Sequence, residues 1–213
     1  GIKMFDGQPA DSWWAGRSDS ITFSRCRFVD NLCTGLWNDY GAKNLHVLSC
    51  LFEGNKSSGM FQEVTSGPLL ISKCVFRGNG WGAGAGLLVV NSPDITIDST
   101  TMYRNGNEYT ARNCANIFII GDNRAATDGY DYQPVRMKIY HSTIQALRPE
   151  EHLFQFGVWR ADQNKPPIDY KPQSLFAKTL ESDYNTWYRE SGVWAFPDTT
   201  VFNNDKDWYA EQT

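Results

Sequence analysis

The chain is built from short runs of alternating apolar and polar residues that recur about every 24 residues. Each recurrence holds two such runs, separated by a small polar residue. The copies begin at Ile21, Leu45, Leu69 and Ile95, and a weaker copy covers 137–144. Alternation with a period of two is typical of strands that bury one face. The pattern therefore predicts pairs of short β-strands that repeat along the chain.

A third short apolar run precedes these pairs, over 35–39, 59–63, 86–90 and 116–120. Three strands in a repeat of about two dozen residues are typical of one coil of a solenoid. Leucine-rich repeats have a similar length, but their leucine and asparagine pattern is absent. No amphipathic helix is predicted between the runs, which disfavours a βα solenoid. We therefore expect an all-β fold, a right-handed parallel β-helix of roughly five to six coils.

Cys26, Cys50 and Cys74 occupy one position of the repeat, each 24 residues from the next. Equivalent residues of successive coils stack about 4.8 Å apart in a parallel β-helix. The cysteines therefore predict an inward-facing ladder, continued by Thr100 and Ser142, in which the thiols stay reduced and react slowly. The cysteine total is odd, there are three histidines, and no CxxC motif is present. We therefore expect neither a metal site nor any other cofactor.

The repeat becomes less regular toward the end of the chain. Residues 153–156 and 175–177 are expected to form a sixth coil, so the solenoid is predicted over 1–181. The segment 182–213 is rich in Trp, Tyr, Asn and Asp and predicts irregular capping structure. Because neither end has the features of a cap, we expect the chain to be part of a longer protein.

Composition limits the partners that the protein can have. The formal charge of −4 and the pI near 5.4 argue against nucleic acid or an anionic membrane as the main partner. The longest apolar runs are only a few residues, so none is long enough to span a bilayer. Aromatic residues make up 14% of the chain, with eight Trp. Because tryptophan commonly stacks on sugar rings, we expect a carbohydrate partner.

Two acidic residues hold equivalent positions in neighbouring coils. Leu36 and Met60 belong to an apolar row that is predicted to face the interior. Since neighbouring strand residues alternate in direction, Asp39 and Glu63 should face outward. They are 24 residues apart, so they should lie side by side on adjacent strands. The spacing therefore predicts a pair of carboxylates one coil apart.

Such a pair suits glycoside hydrolysis. Like charges about 5 Å apart repel, so one carboxyl can hold a proton while the other stays ionised. A separation of about 5–5.5 Å favours the retaining mechanism, with an acid and a nucleophile. Trp37 and Phe61 are predicted on the same outward face, as a platform for a sugar ring. The alternatives are a solvated surface pair and an aromatic row packed under a loop.

The N-terminal segment supplies further candidate substrate-binding residues. Residues 1–5 are predicted as the equivalent strand one coil earlier, which aligns Lys3 with Trp37 in the same groove. Lys3 would bind a substrate hydroxyl or carboxylate, with plain solvation as the alternative. An alternative register puts 11–14 in that strand; in the first, 6–18 form an insertion beside the groove. Three residues of the insertion complete the set: Trp13, Trp14 and Arg17.

The sequence GLWNDY at 35–40, followed by GMFQEVTSGP at 59–68, resembles the catalytic coils of glycoside hydrolase family 120, the β-xylosidases. The family pattern is roughly G-[IL]-W-x-D, a coil, then a hydrophobic pair, E-[IV]-S and G-P. The resemblance implies a right-handed β-helix with Asp39 as nucleophile and Glu63 as acid/base. It also implies a xylan-type substrate and a secreted or periplasmic bacterial protein. Asn38 departs from the pattern, since the family often has an apolar or aromatic residue there.

Two other function classes stay open at the level of the sequence. Polysaccharide lyases and epimerases also use β-helices, and they need a basic residue near clustered aspartates; only Lys3 is placed for that role. A non-catalytic β-helix, such as an adhesin or a sugar-binding scaffold, needs no carboxylate pair. Because the fold hosts all three classes, the Asp39–Glu63 pair is the feature that discriminates among them.

Overall fold

The computed structural model describes residues 1–4, 18–40, 42–82, 84–106, 114–123, 136–148, 151–159, 166, 168 and 171–189, and the backbone of 199–202. Three predicted site residues, Trp13, Trp14 and Arg17, lie outside these ranges.

The described residues form six coils of three strands each and the first strand of a seventh. Coils one and two are β1 (Ile2–Met4), β2 (Thr22–Ser24), β3 (Arg27–Val29), β4 (Leu36–Asp39), β5 (Leu45–Leu48) and β6 (Leu51–Glu53). Coils three and four are β7 (Met60–Glu63), β8 (Leu69–Ser72), β9 (Val75–Arg77), β10 (Gly84–Val90), β11 (Ile95–Asp98) and β12 (Thr101–Tyr103). The remaining elements are β13 (Cys114–Asp122), β14 (Met137–Tyr140), β15 (Thr143–Ala146), β16 (His152–Trp159), α1 (Pro172–Thr179), β17 (Glu181–Asp183), β18 (Thr186–Arg189) and β19 (Thr199–Phe202).

Equivalent strands of successive coils pair in parallel to make three sheets. Sheet A contains the first strand of each coil and has seven strands, while sheets B and C contain the second and third strands and have six each. Adjacent coils pair in the register that the repeat predicts, with Leu36 opposite Met60 and Phe52 opposite Phe76. This architecture confirms the predicted right-handed parallel β-helix.

The interior is filled by side chains that stack from coil to coil. Leu36, Met60, Leu87 and Ile117 are all fully buried, which confirms the predicted inward row of sheet A. On sheet C, the rings of Phe28 and Phe52 stack at 4.8 Å, and those of Phe52 and Phe76 stack at 4.4 Å. Alternate strand residues therefore make one continuous apolar core, because each coil buries its inner face against the next.

The predicted cysteine ladder lies at the bend between sheets B and C. The backbone N–H of Cys26 donates to Cys50 Sγ at 3.4 Å, and that of Cys50 donates to Cys74 Sγ at 3.4 Å. Thr100, Ser142 and Asn185 continue the ladder by accepting the next backbone N–H groups. Each ladder side chain after Cys26 therefore pairs an N–H group that strand pairing leaves without an acceptor. None of the five cysteines is in a disulfide, and burial raises the pKa of Cys74 to about 11.

A second ladder of amide side chains lies where each coil returns to sheet A. The side chain of Asn55 donates to Asn79 Oδ1 at 2.7 Å, and that of Asn79 donates to Asn105 Oδ1 at 3.0 Å. Glu151 ends the ladder: it is fully buried and accepts from the backbone N–H of Asn105 and of Leu147. Burial raises the pKa of the Glu151 carboxyl despite these donors.

The C-terminal part differs from the sequence prediction in two ways. Residues 175–177, expected as a strand, lie in α1, which has Pro172 in its first turn and packs Phe176 against Phe154 and Phe156. The solenoid also continues past the boundary predicted at 182, because β17, β18 and β19 pair in parallel with the preceding coil. The backbone N–H and C=O groups of these strands are paired by hydrogen bonds to the preceding coil. Local sequence does not reveal this pairing, because it depends on residues that are distant along the chain.

Candidate functional site

The two candidate carboxylates end adjacent strands of sheet A. Asp39 is the last residue of β4 and Glu63 the last residue of β7, and the two are paired partners in the sheet. Both belong to the outward-facing set, since Leu36 and Met60 on the same strands are interior. Their exposed fractions are only 8% and 5%, so the outward face is far less open than the sequence suggested.

Asp39 is held by one cation and one backbone group. Its Oδ2 lies 2.9 Å from Lys3 Nζ, and its Oδ1 accepts the backbone N–H of Tyr40 at 2.8 Å. Lys3 reaches this position because β1 pairs with β4 and places Lys3 opposite Trp37. The predicted alignment of Lys3 is therefore correct, and Lys3 forms an ion pair with the candidate nucleophile.

Glu63 has a different environment. Its Oε2 accepts the indole N–H of Trp37 at 2.9 Å, along a diagonal between β4 and β7. Its partner on the other side is Val90 of β10, and Val64 follows it with φ at +46°. A β-branched residue in the left-handed region is uncommon, so the backbone directly after Glu63 has an unusual conformation. The two carboxylates thus share a row but have different neighbours.

The aromatic platform predicted from Trp37 and Phe61 is arranged differently from the expectation. The two rings stack at 5.1 Å, and Lys3 Nζ lies 3.6 Å from the ring centroid of Trp37. Since β1 and β7 flank β4, the indole lies between Lys3 and the phenyl ring. Phe61 is 8% exposed. Trp37 therefore contacts the carboxylate pair through its indole N–H, which donates to Glu63. Both faces of its ring are in contact with protein, one with Lys3 and the other with Phe61.

An apolar cluster covers the outer face of sheet A next to the pair. We call it the outer-face cluster; Trp37 packs against it. Every member is buried, so β10 and β13 bury both of their faces. The carboxylates therefore lie at the edge of an apolar surface, where water is scarce and electrostatic contacts are strong. The members are Phe61, Ala85, Leu88, Val90, Ala115, Phe118, Ile120 and Trp159.

A polar network inside the coil supports the same strand ends. Asn38 is fully buried and donates to Gln62 Oε1 at 3.0 Å, and Gln62 in turn donates to Thr65 Oγ1 at 2.6 Å. The backbone N–H of Thr65 then donates to Ser92 Oγ at 3.1 Å. This network ties β4, β7 and the turn after Glu63 together. The sequence interpretation missed it, although the signal was there: two amides 24 residues apart at an interior position.

The described residues provide little for a metal or a membrane. They contain no group of three or more His, Cys, Asp or Glu that could hold a metal ion. Within the same ranges, no helix has the length and apolar character needed to cross a bilayer.

Comparison with known proteins supports the fold. No family model matches the chain, and no curated protein sequence matches it. Among solved structures, the chain is similar to the A-module of mannuronan C-5 epimerase AlgE4 from Azotobacter vinelandii, with a TM-score of 0.56 and 16% identity. The match covers 87% of this chain and 46% of that one, so the chain spans less than half the length of the epimerase module. At this identity the likeness shows a shared parallel β-helix fold.

Proposed function

We propose that the protein is a carbohydrate-active enzyme, a retaining glycoside hydrolase with Asp39 as nucleophile and Glu63 as acid/base. The observation that carries this proposal is the in-register pair on β4 and β7. Neighbouring strands are about 4.8 Å apart, which is close to the carboxyl separation of about 5–5.5 Å in retaining enzymes.

The contacts of the two carboxyls suit different roles. Asp39 forms an ion pair with Lys3 and accepts one backbone N–H, so it is presented as an oriented carboxylate. Glu63 accepts from the indole of Trp37 and lies beside Phe61 and the apolar strand β10. A fixed carboxylate suits nucleophilic attack, and a carboxyl at an apolar edge suits proton transfer.

The reaction would have two steps. Asp39 attacks the anomeric carbon while the glycosidic C–O bond breaks, and Glu63 gives its proton to the leaving oxygen. Glu63 then takes a proton from water, whose oxygen attacks the same carbon and releases Asp39. Each step inverts the anomeric centre, so the product keeps the original configuration. A plant or microbial polysaccharide or oligosaccharide, with xylan-type chains first, is the proposed substrate; the resemblance to family 120 supports it.

A polysaccharide epimerase or lyase is the second candidate, and one contact favours it. The Nζ atom of Lys3 lies 2.9 Å from Asp39 Oδ2, and the Lys3 side chain is partly exposed. A basic group is therefore placed beside an acidic one. Proton abstraction next to a sugar carboxylate requires such a base. The shared fold with a mannuronan C-5 epimerase makes this candidate comparable in weight. The proposed secreted or periplasmic location is the same for both candidates.

Proton NMR of the first-formed product separates the candidates. The protein is incubated with xylan-type oligosaccharides and with polyuronates, and anomeric signals are followed from the earliest time point. The hydrolase proposal predicts a new reducing end of unchanged configuration, which Asp39→Asn abolishes. Initial inversion, an unsaturated sugar absorbing in the near ultraviolet, or a sugar epimerised at C5 would reject it. No turnover with any member of the panel would favour a non-catalytic sugar-binding role.

A further inference from the structure

A recess lies at the corner where the chain passes from sheet C back to sheet A. Its volume is about 400 Å³, and its described lining contains one aromatic and two arginine side chains but no acidic one. It lies at the start of the sheet A strands, whereas Asp39 and Glu63 lie at their ends. The recess is therefore a separate feature of the surface. Its lining residues are Gly78, Trp81, Arg104, Gly106, Leu147 and Arg148.

Trp81 provides a fixed aromatic surface in this recess. Its side chain is 44% exposed, although a tryptophan is normally among the most buried residues. The indole N–H donates to the backbone oxygen of Gly54 at 3.1 Å, which holds the ring against the preceding coil. Lys56 Nζ lies 5.7 Å from the ring centroid. An exposed ring that is held in place can stack on a sugar with little loss of entropy.

Two arginines bring positive charge to the recess, and one of them, Arg148, also pairs with a buried carboxylate: its Nε lies 3.8 Å from Glu151 Oε2. Arg148 Nη2 donates to the backbone oxygens of Asn105 and Gly106 at 3.2 and 3.1 Å, so its guanidinium is fixed at the rim. Arg104 is exposed and has φ at +54°, at the turn position where the two preceding coils have Gly54 and Gly78. Arginine in the left-handed region costs roughly 1–2 kcal/mol relative to glycine. This turn therefore carries a charge where local backbone energetics favour glycine.

Gly78 lines the recess at an exposed turn. A Cβ atom added at Gly78 would meet no atom within 4 Å, so there is space above this residue. By contrast, a Cβ at Gly106 would lie 2.3 Å from the Cα of Cys114. Side chains introduced at position 78 would therefore lie at the open side of the recess without displacing the protein, provided that they tolerate φ at +62°. Asparagine and aspartate do so better than other residues.

We propose that this recess is a binding subsite for an anionic saccharide unit, whose ring stacks on Trp81 and whose carboxylate or sulfate pairs with Arg104 and Arg148. Guanidinium groups bind both anions through paired hydrogen bonds. The inference rests on the proposed carbohydrate function, and within it favours an acidic polysaccharide over the neutral xylan-type chain that the resemblance suggests.

Equilibrium binding to three polymers tests the proposal: a polyuronate, a sulfated glucan and neutral xylan, measured by calorimetry and affinity electrophoresis. The wild type should bind at least one anionic polymer at least tenfold more tightly than xylan, with affinity that falls as salt is added. The first two polymers distinguish a carboxylate from a sulfate. Equal affinity for all three polymers, or no binding to either anionic one, would overturn the proposal.

Matched variants locate the site. Trp81→Ala and Arg104→Gln should each weaken anionic binding by about tenfold or more. Gly78→Asp should weaken it far more than Gly78→Asn, since the two differ only in charge. Lys178→Gln, which removes a cation on α1, is the control and should bind like the wild type. Thermal unfolding confirms that each variant is folded; if all folded variants bind equally, the subsite is not here.

The subsite and the proposed activity can fail separately. Asp39→Asn should lose turnover, and in that background Trp81→Ala and Arg104→Gln should still weaken binding of the anionic polymer. If the wild type binds an anionic polymer but turns over no polymer, the enzymatic proposal is rejected and the proposed subsite stands. If Trp81→Ala and Arg104→Gln change neither turnover nor binding, the proposed subsite is rejected and the proposed enzymatic activity stands.

Discussion

At the scale of single residues, the candidate site depends on how four side chains from three strands divide their contacts. Lys3 contacts both Asp39 and the Trp37 ring, while the indole N–H of Trp37 goes to Glu63. Each carboxylate therefore has a donor of its own. The repeat predicted where these four residues lie and that they face outward. It did not predict their hydrogen-bond and ion-pair partners, because alternation along a strand does not show which neighbour a long side chain reaches.

Trp37→Phe tests the role of the indole N–H. The phenyl ring can still stack on Phe61, but the donor to Glu63 is lost. A hydrogen bond to a charged group contributes about 1.5–3 kcal/mol, so kcat/KM should fall by roughly ten- to a hundredfold. Trp187→Phe on β18 is the control for a general loss of indole. Equal kcat/KM in wild type and Trp37→Phe would contradict this role.

The buried imidazole of His152 should make the stability of the protein depend on pH. Burial, with a smaller contribution from the Arg189 charge, lowers the pKa of His152 below its usual 6.5. The unfolded chain therefore binds the proton first as the pH falls, and the free energy of unfolding decreases below about pH 6.5 by up to about 1.4 kcal/mol per pH unit. His152→Gln should lose this contribution, so its stability at pH 5.5 relative to pH 7.5 should exceed that of the wild type.

Chemical denaturation at the two pH values measures the difference. The raised pKa of Glu151 changes stability in the opposite direction, but it acts in both proteins and cancels in the comparison. His46→Gln shows how much an exposed imidazole contributes. An identical pH dependence in wild type and His152→Gln would contradict the prediction.

At the scale of elements, the bends between strands are stabilised by ladders of side chains. Cys50 Sγ, Cys74 Sγ and Thr100 Oγ1 each accept a backbone N–H from the preceding coil. The chemical requirement is therefore a small acceptor rather than a thiol. This explains why cysteine gives way to Thr100 and Ser142 in the later coils, a substitution that the sequence pattern already indicated.

Cys74→Ala and Cys74→Ser separate packing from hydrogen bonding. Alanine leaves the buried N–H of Cys50 without its acceptor, which costs about 1–3 kcal/mol. Serine supplies an oxygen, as Thr100 does one coil later, so it should be the milder change. Urea denaturation gives both values. A serine variant that is as unstable as the alanine variant would show that the ladder bond contributes little.

Thiol labelling of the native protein tests whether the cysteines of this ladder lie in the interior. Cys74 is buried and has a pKa of about 11, so its reactive thiolate is scarce at neutral pH. It should react at least about a hundredfold more slowly than the exposed Cys33, and its rate should rise about tenfold per pH unit below pH 11. Mass spectrometry of labelled peptides gives the rates. Rapid labelling of Cys50 or Cys74 would contradict their interior position.

At the scale of the whole molecule, the 24-residue period was sufficient to predict the coils, the three-strand repeat and the register of Asp39 with Glu63. It did not predict α1, because 175–177 is a short apolar run that a strand and a buried helix turn share, and α1 buries Phe176 in the core. The buried outer face of β10 and β13 was also missed. Its signal was the nearly continuous apolar runs at 86–90 and 116–120, which are typical of strands buried on both faces.

The most direct test of the central claim is covalent trapping of the nucleophile. The protein is incubated with activated 2-deoxy-2-fluoro glycosides of xylose, other neutral sugars and uronic acids, and the digest is mapped by mass spectrometry. Our structure predicts one glycosyl group, bound as an ester to Asp39 and absent in Asp39→Asn. A label on another residue, or polysaccharide cleavage that persists unchanged in Asp39→Asn with no label at all, would contradict it.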